Sequence, residues 1–218
     1  MIKLDFTYSK KEDVERILYT IGKWDFYQQH YNISWIKLPE KIDKTKIREY
    51  SKNEILDIVE EEYSTNSINI YKKVEQEILD NWPKVSEKIE SVSKETNIVF
   101  PSELKIQLTC YGMGGSYWLP NKIVLLATKL SPTATIVHEL IHLVVEEWIQ
   151  KYAIGQAQKE RIVDLFMSKY FGDLFPERLI PKWSQSVYQK ISYQEIDKIF
   201  EKFEPDMETV IKMVNEAI

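Results

Sequence analysis

The sequence predicts an α+β fold, a small mixed β-sheet packed on two consecutive helices, with further helices before and after that core. Three observations predict it. Leu104–Tyr111 and Lys122–Thr128 are rich in apolar and β-branched residues, the first alternating and the second nearly continuous, as strands read. Ser131–Tyr152 and Gln156–Phe171 carry helical patterns and are separated at Gly155. Lys41–Glu95 is highly charged, yet Ile47, Ile55, Ile58 and Val59 recur at helical spacing.

The elements follow in order. Ile2–Tyr8 alternates as a short strand with Ile2, Leu4 and Phe6 on one face. Ser9-Lys10-Lys11-Glu12 has the S-x-x-E pattern of a capping box and opens a helix running to about Gly22. Trp24–Leu38 is crowded with aromatic and β-branched residues but keeps no period, so it reads as irregular with one strand near Asn32–Leu38. The helical stretch Lys41–Glu95 is punctuated at Ser64–Ser67 and at Pro83. Gly112–Tyr117, which holds three of the six glycines, reads as a hairpin connection or the rim of a cleft. No Lys-Ser/Thr follows it, which argues against a phosphate loop. Ser131-Pro132 marks a helix start, with serine as the capping residue and proline at the first helical position. Gly172 stands where a C-terminal glycine belongs. Beyond Pro176 and Pro181 the tail reads as one or two amphipathic helices. The expected organisation is a mainly helical region at 1–95, a core at 96–180 and a helical tail at 181–218.

Composition narrows the class of function. Hydrophobic residues are 44% and charged residues 29%, a globular balance. A formal net charge of −5 argues against a nucleic-acid partner held by bulk electrostatics. Cys110 is the single cysteine, so neither a disulfide within the chain nor a cysteine metal site is expected. No apolar run approaches the roughly 18 residues of a membrane span. The opening Met1–Phe6 lacks a signal-peptide pattern. The expectation is a cytoplasmic protein, monomeric or a small homo-oligomer, with no nucleic-acid or membrane partner.

The chemistry concentrates in His138-Glu139-Leu140-Ile141-His142, which uses two of the three histidines in 218 residues. Four residues apart on a helix, the two imidazoles lie on one face and can reach a single metal ion. The glutamate between them is placed to take a proton from a water that the metal polarises. A catalytic zinc site takes three protein ligands. Glu146 is a further turn along a helix that rises about 1.5 Å per residue, too far to complete the set, and Glu147 points to the side. His30, in an aromatic segment, reads as a packed or surface histidine. The third ligand is expected to be Glu160 on the next helix. Asp164, four residues on, shares its face and would orient a ligating histidine.

His138-Glu139-x-x-His142 followed by Glu160-x-x-x-Asp164 resembles the gluzincins, the thermolysin-like zinc peptidases, and among them the small minigluzincins. The flanks are similar too: Thr135 lies three before the first histidine, Ile136, Leu140, Ile141 and Leu143 are uncharged, and Val144 is apolar. The resemblance covers Tyr111–Gly172 and implies a zincin-like core in which 131–152 is the active-site helix and 156–171 the glutamate helix. It implies zinc on His138, His142 and Glu160, Glu139 as general base, Asp164 behind His138, and a peptide or protein substrate. It also implies a tyrosine or histidine that stabilises the oxyanion. Tyr152, Tyr170, Tyr188 and Tyr193 are candidates, and Tyr152, between the second histidine and Glu160, is ranked first. The Asn-Ala-x-aromatic signature of the substrate-pairing edge strand is absent, leaving Gly114–Tyr117 or Lys122–Ala127 for that role. Two alternatives to a general metallopeptidase stand beside this one. One is a regulatory or binding protein on the same scaffold. The other is an enzyme kept latent by its own tail after Pro181.

Overall fold

Lys3–Thr7 (β1), Glu103–Thr109 (β2), Gly115–Trp118 (β3) and Lys122–Leu126 (β4) form one mixed sheet. The computed structural model describes residues 2–63, 65–178 and 193–217. Strand order is β1-β2-β4-β3. β1 runs parallel to β2 with Leu4 opposite Leu104, and β2 runs parallel to β4 with Ile106 opposite Ile123. β3 turns back antiparallel to β4, pairing Gly115 with Leu125 and Trp118 with Lys122. Ile123 to Leu126 are all buried, as the near-continuous apolar run of a covered strand requires.

Eight α-helices surround the sheet among the described residues: Lys10–Gly22 (α1), Trp24–His30 (α2), Lys52–Glu62 (α3), Thr65–Thr96 (α4), Pro132–Lys151 (α5), Gln156–Phe171 (α6), Tyr193–Phe203 (α7) and Met207–Ala217 (α8). The fold is α+β. The main core joins the faces of α4, α5, α6, α7 and α8 to the sheet, from Ile2 through Ile106 and Ile141 to Val214. A smaller cluster of Val14, Ile17, Trp24, Ile36, Ile55 and Val59 ties α1, α2 and α3 together. The first 95 residues therefore supply one strand of the sheet and a long helix of the main core. None of the described helices is long and apolar enough to cross a membrane.

Several elements differ from the sequence reading. Trp24–His30 is helical, not irregular, and Asn32–Leu38 forms a 3-10 turn at Ile33–Trp35 with a single bridge from Lys37 to Gly112. Pro83 does not interrupt α4. Its neighbours Ile78, Trp82, Val85 and Ile89 are buried, and Trp82 Nε1 donates to the Ile2 carbonyl at 2.9 Å, so packing on both sides offsets the missing helix hydrogen bond. The capping box belongs in full to Ser51 and Glu54 at the start of α3; Ser9 shows one half of it, accepting from the Glu12 N–H at 3.3 Å. Ser131 precedes Pro132 as expected but adopts a left-handed φ of 53° and makes no side-chain cap. Gly172 ends α6 in right-handed geometry. Gly112–Tyr117 begins as the expected turn and from Gly115 onward belongs to the edge strand β3. Pro181 lies outside the described residues.

Candidate metal centre

α5 and α6 form a helical hairpin whose facing surfaces carry the candidate ligands. The short turn at Gly155 reverses the chain, and buried Leu140, Ile141, Ile162 and Phe166 seat both helices in the core. His138 and His142 lie one turn apart on α5, and their Nε2 atoms are 3.1 Å from each other. Glu160 on α6 points one carboxylate oxygen between them, its Oε2 being 3.6 Å from His138 Nε2 and 3.4 Å from His142 Nε2. Its other oxygen, Oε1, accepts from Gln156 Nε2 at 2.5 Å, which turns Oε2 toward the rings. These are the three residues among those described whose ligand atoms lie close enough together to hold one metal ion.

The spacing fits zinc. Tetrahedral bonds of about 2.0–2.1 Å put neighbouring ligand atoms about 3.3–3.4 Å apart. Two neutral imidazoles and one carboxylate are a donor set that zinc accepts. Burial alone would push the Glu160 carboxyl up, but the His142 and His138 rings facing it hold it well below the ordinary carboxylate range. Asp164 faces His138, with Oδ1 3.9 Å from Nδ1. That is an ion-pair distance, longer than a hydrogen bond, and Nδ1 of each histidine has no hydrogen-bond partner. Burial pushes the Asp164 carboxyl up, partly offset by His138.

Glu139, in the same cleft, lies under the edge strand. A Cβ on Gly115 would stand 2.6 Å from Glu139 Oε1 and 2.7 Å from its Cγ, so β3 passes over the carboxylate only because residue 115 has no side chain. Next along β3, Tyr117 lies flat on His142, its ring 6° from parallel. Its hydroxyl donates to Glu146 Oε2 at 2.6 Å and accepts from Lys159 Nζ at 2.9 Å. Burial and the Glu146 carboxylate raise the Tyr117 hydroxyl far above its ordinary pKa, so it stays protonated. Beneath the loop leading into β3, buried Arg16 of α1 donates from Nη2 to the Met113 carbonyl at 3.3 Å and to Ser116 Oγ at 2.9 Å. Gly112 there has φ +91°, and an added Cβ would strike the Arg16 guanidinium.

The candidate ligands open into a cleft of about 850 Å³ lined by β3, His138, Glu139, His142, Glu146, Glu160 and Asp164. The tyrosines separate clearly. Tyr193 lines the cleft. Tyr152 does not: it follows α5 and donates to Glu208 Oε1 of α8 at 3.1 Å. Tyr170 is buried in the core against Phe166, and Tyr188 lies outside the described residues. Glu147 is exposed, and the side chain of His30 lies outside what is described. The sequence reading brought together His138, His142, Glu160 and Asp164. It offered Gly114–Tyr117 as a substrate-pairing strand but not the contacts of Gly115 with Glu139 and of Tyr117 with His142, and it missed Lys159 and Arg16, which no short motif joins. No protein-family model, curated protein or solved structure matches the chain.

Proposed function

We propose that this chain is a zinc-dependent metallopeptidase with a gluzincin-like, zincin-type core. The convergence of His138 Nε2, His142 Nε2 and Glu160 Oε2, beside the Glu139 carboxylate and in an open cleft, carries the reading. Bound zinc would supply a Lewis acid that polarises a scissile carbonyl and acidifies water. Glu139 takes the proton of the attacking water at its carboxylate and passes it to the leaving amine. β3 has a strand partner on one edge alone among the described residues, so its other edge can hold a peptide extended through main-chain hydrogen bonds. Tyr193, as the cleft-lining tyrosine of the candidate set, replaces Tyr152 as the donor assigned to the oxyanion. Asp164 keeps the His138 ring oriented, and Tyr117 keeps the His142 ring in place. Peptide or protein is the proposed substrate and the cytoplasm the proposed location. The test is Glu139→Gln: zinc content should stay stoichiometric while peptide cleavage falls by about 10²–10⁴-fold. Unchanged cleavage would rule out the assignment.

A further inference from the structure

The wall of the cleft opposite α5 comes from the first 35 residues, for which the metal motif implies nothing. Tyr19 of α1, Phe26 and Tyr27 of α2, Tyr31 and Trp35 line it, and Trp118 of β3 continues it. The rings fall into two groups along the same cleft, with Trp35 beside them. Tyr19 meets Trp118 edge-on at 5.5 Å, Phe26 lies 5.9 Å from Tyr27 and 6.0 Å from Tyr31, and Tyr27 lies 6.1 Å from Tyr31. Large apolar side chains stand open here: Tyr19 is 39%, Phe26 42% and Trp35 57% exposed. Scattered exposed apolar residues need no explanation, but apolar rings gathered along one cleft mark a surface that something covers.

Position says what covers it. The aromatic residues share one cleft with the candidate metal ligands, and the edge strand β3 touches both, through Tyr117 on His142 and Trp118 on Tyr19. Four acidic groups of the cleft, Glu139, Glu146, Glu160 and Asp164, belong to α5 and α6, whereas α1 and α2 contribute aromatic rings. An extended polypeptide on that edge sends successive side chains to opposite faces, and aromatic rings at low conformational cost suit a bulky apolar one.

We propose that Tyr19, Phe26, Tyr31 and Trp35 form a subsite selecting peptides with an aromatic or large aliphatic residue close to the scissile bond. This makes the N-terminal region the specificity element, and it rests on the peptidase reading. The test is calorimetric titration of the zinc-loaded Glu139→Gln protein with capped hexapeptides carrying Phe, Leu, Ser or Asp at one position at a time. At one or two positions Phe should bind about tenfold tighter than Ser, the scale expected for burying one such side chain. In the added background of Phe26→Ser with Trp35→Ser, that ratio should fall to about threefold or less. Both residues are substantially exposed, so the fold and zinc content should be retained. Equal affinities at every position, or a Phe preference that the double variant keeps, overturn the proposal. So does a wild-type dimer in sedimentation that the double variant abolishes, since a second copy would then cover the wall. Turnover of the best peptide by wild-type chain is read separately: preference without cleavage leaves the subsite standing and removes the peptidase reading.

Discussion

The Tyr117 ring lies 5.1 Å from the His142 imidazole, centre to centre, and nearly parallel to it. A strand that borders the cleft is thereby in contact with a candidate metal ligand. The contact is fixed from the far end of the ring, where the Tyr117 hydroxyl bridges Glu146 and Lys159.

Removing the ring and removing the hydroxyl should therefore differ. Tyr117→Ala is expected to weaken zinc binding by roughly 10- to 100-fold, as loss of a ligand's support does, while Tyr117→Phe keeps most of the affinity. Competition with a calibrated chelator measures both. Equal losses in the two variants would mean that the stacked ring does not hold His142.

Gly115→Ala places a methyl group where the Glu139 carboxylate and its Cγ now lie. Displacing a catalytic group by about 1 Å costs on the order of 100-fold in rate, so kcat should fall by that order with zinc content unchanged. Full activity would show that Glu139 does not act from this position.

Tyr193→Phe should lower kcat by roughly 10²–10³-fold, the usual loss of one oxyanion donor, with KM little changed. Tyr152→Phe, whose hydroxyl meets Glu208 on the surface of α8, should leave turnover within about twofold. The reverse pattern would restore Tyr152 to the mechanism.

Zinc binding to the native hairpin alone should raise thermal stability. At a free concentration 100 times its Kd the gain is about 2.7 kcal/mol, or a Tm rise of about 5–10 °C for a chain of this size. EDTA should reverse it, and Glu160→Ala should show no rise. Scanning fluorimetry decides between these outcomes.

Asp13 gives a pH test away from the site. Its buried carboxyl accepts hydrogen bonds from Tyr71 and Thr109, each at 2.6 Å. Burial pushes its pKa up, and those hydrogen bonds only partly offset the shift. A raised folded-state pKa gives stability that is complete below the unfolded value and lost as pH rises through the folded one. The Tm of wild type minus that of Asp13→Asn should therefore shrink from about pH 4 to pH 7. A growing difference would contradict the shift.

The parts legible in the sequence were those whose signal is local. Helices α5 and α6 are framed by Pro132 and Gly155, and the ligands repeat at helical spacing within them. Glu160 could be found because the turn before it is too short to carry it elsewhere. β3 could be offered only as one of two candidate edge strands, because its four residues are all half-buried and show no alternation between faces. α2 is a seven-residue helix whose buried face is Trp24 and Tyr27, with Phe26 exposed between them, too short a stripe to read as a period. Pro83 was misread because a proline costs a helix about 3 kcal/mol in isolation, whereas α4 spreads that cost over 32 residues packed along the core. Arg16 and Ser116 stand 100 positions apart, and only the folded sheet joins them.

That separation also orders the assembly of the molecule. The candidate metal ligands belong to one helical hairpin, a local structure able to form as soon as its own residues meet. The strand pairing of Lys3 with Glu103 and the clasp of Arg16 on Ser116 each close a loop of about a hundred residues, the slow kind of contact in folding. A chain arrested before those contacts form would carry the candidate ligands beneath an unfinished roof. The proposed centre would be assembled before the wall proposed to choose its partner.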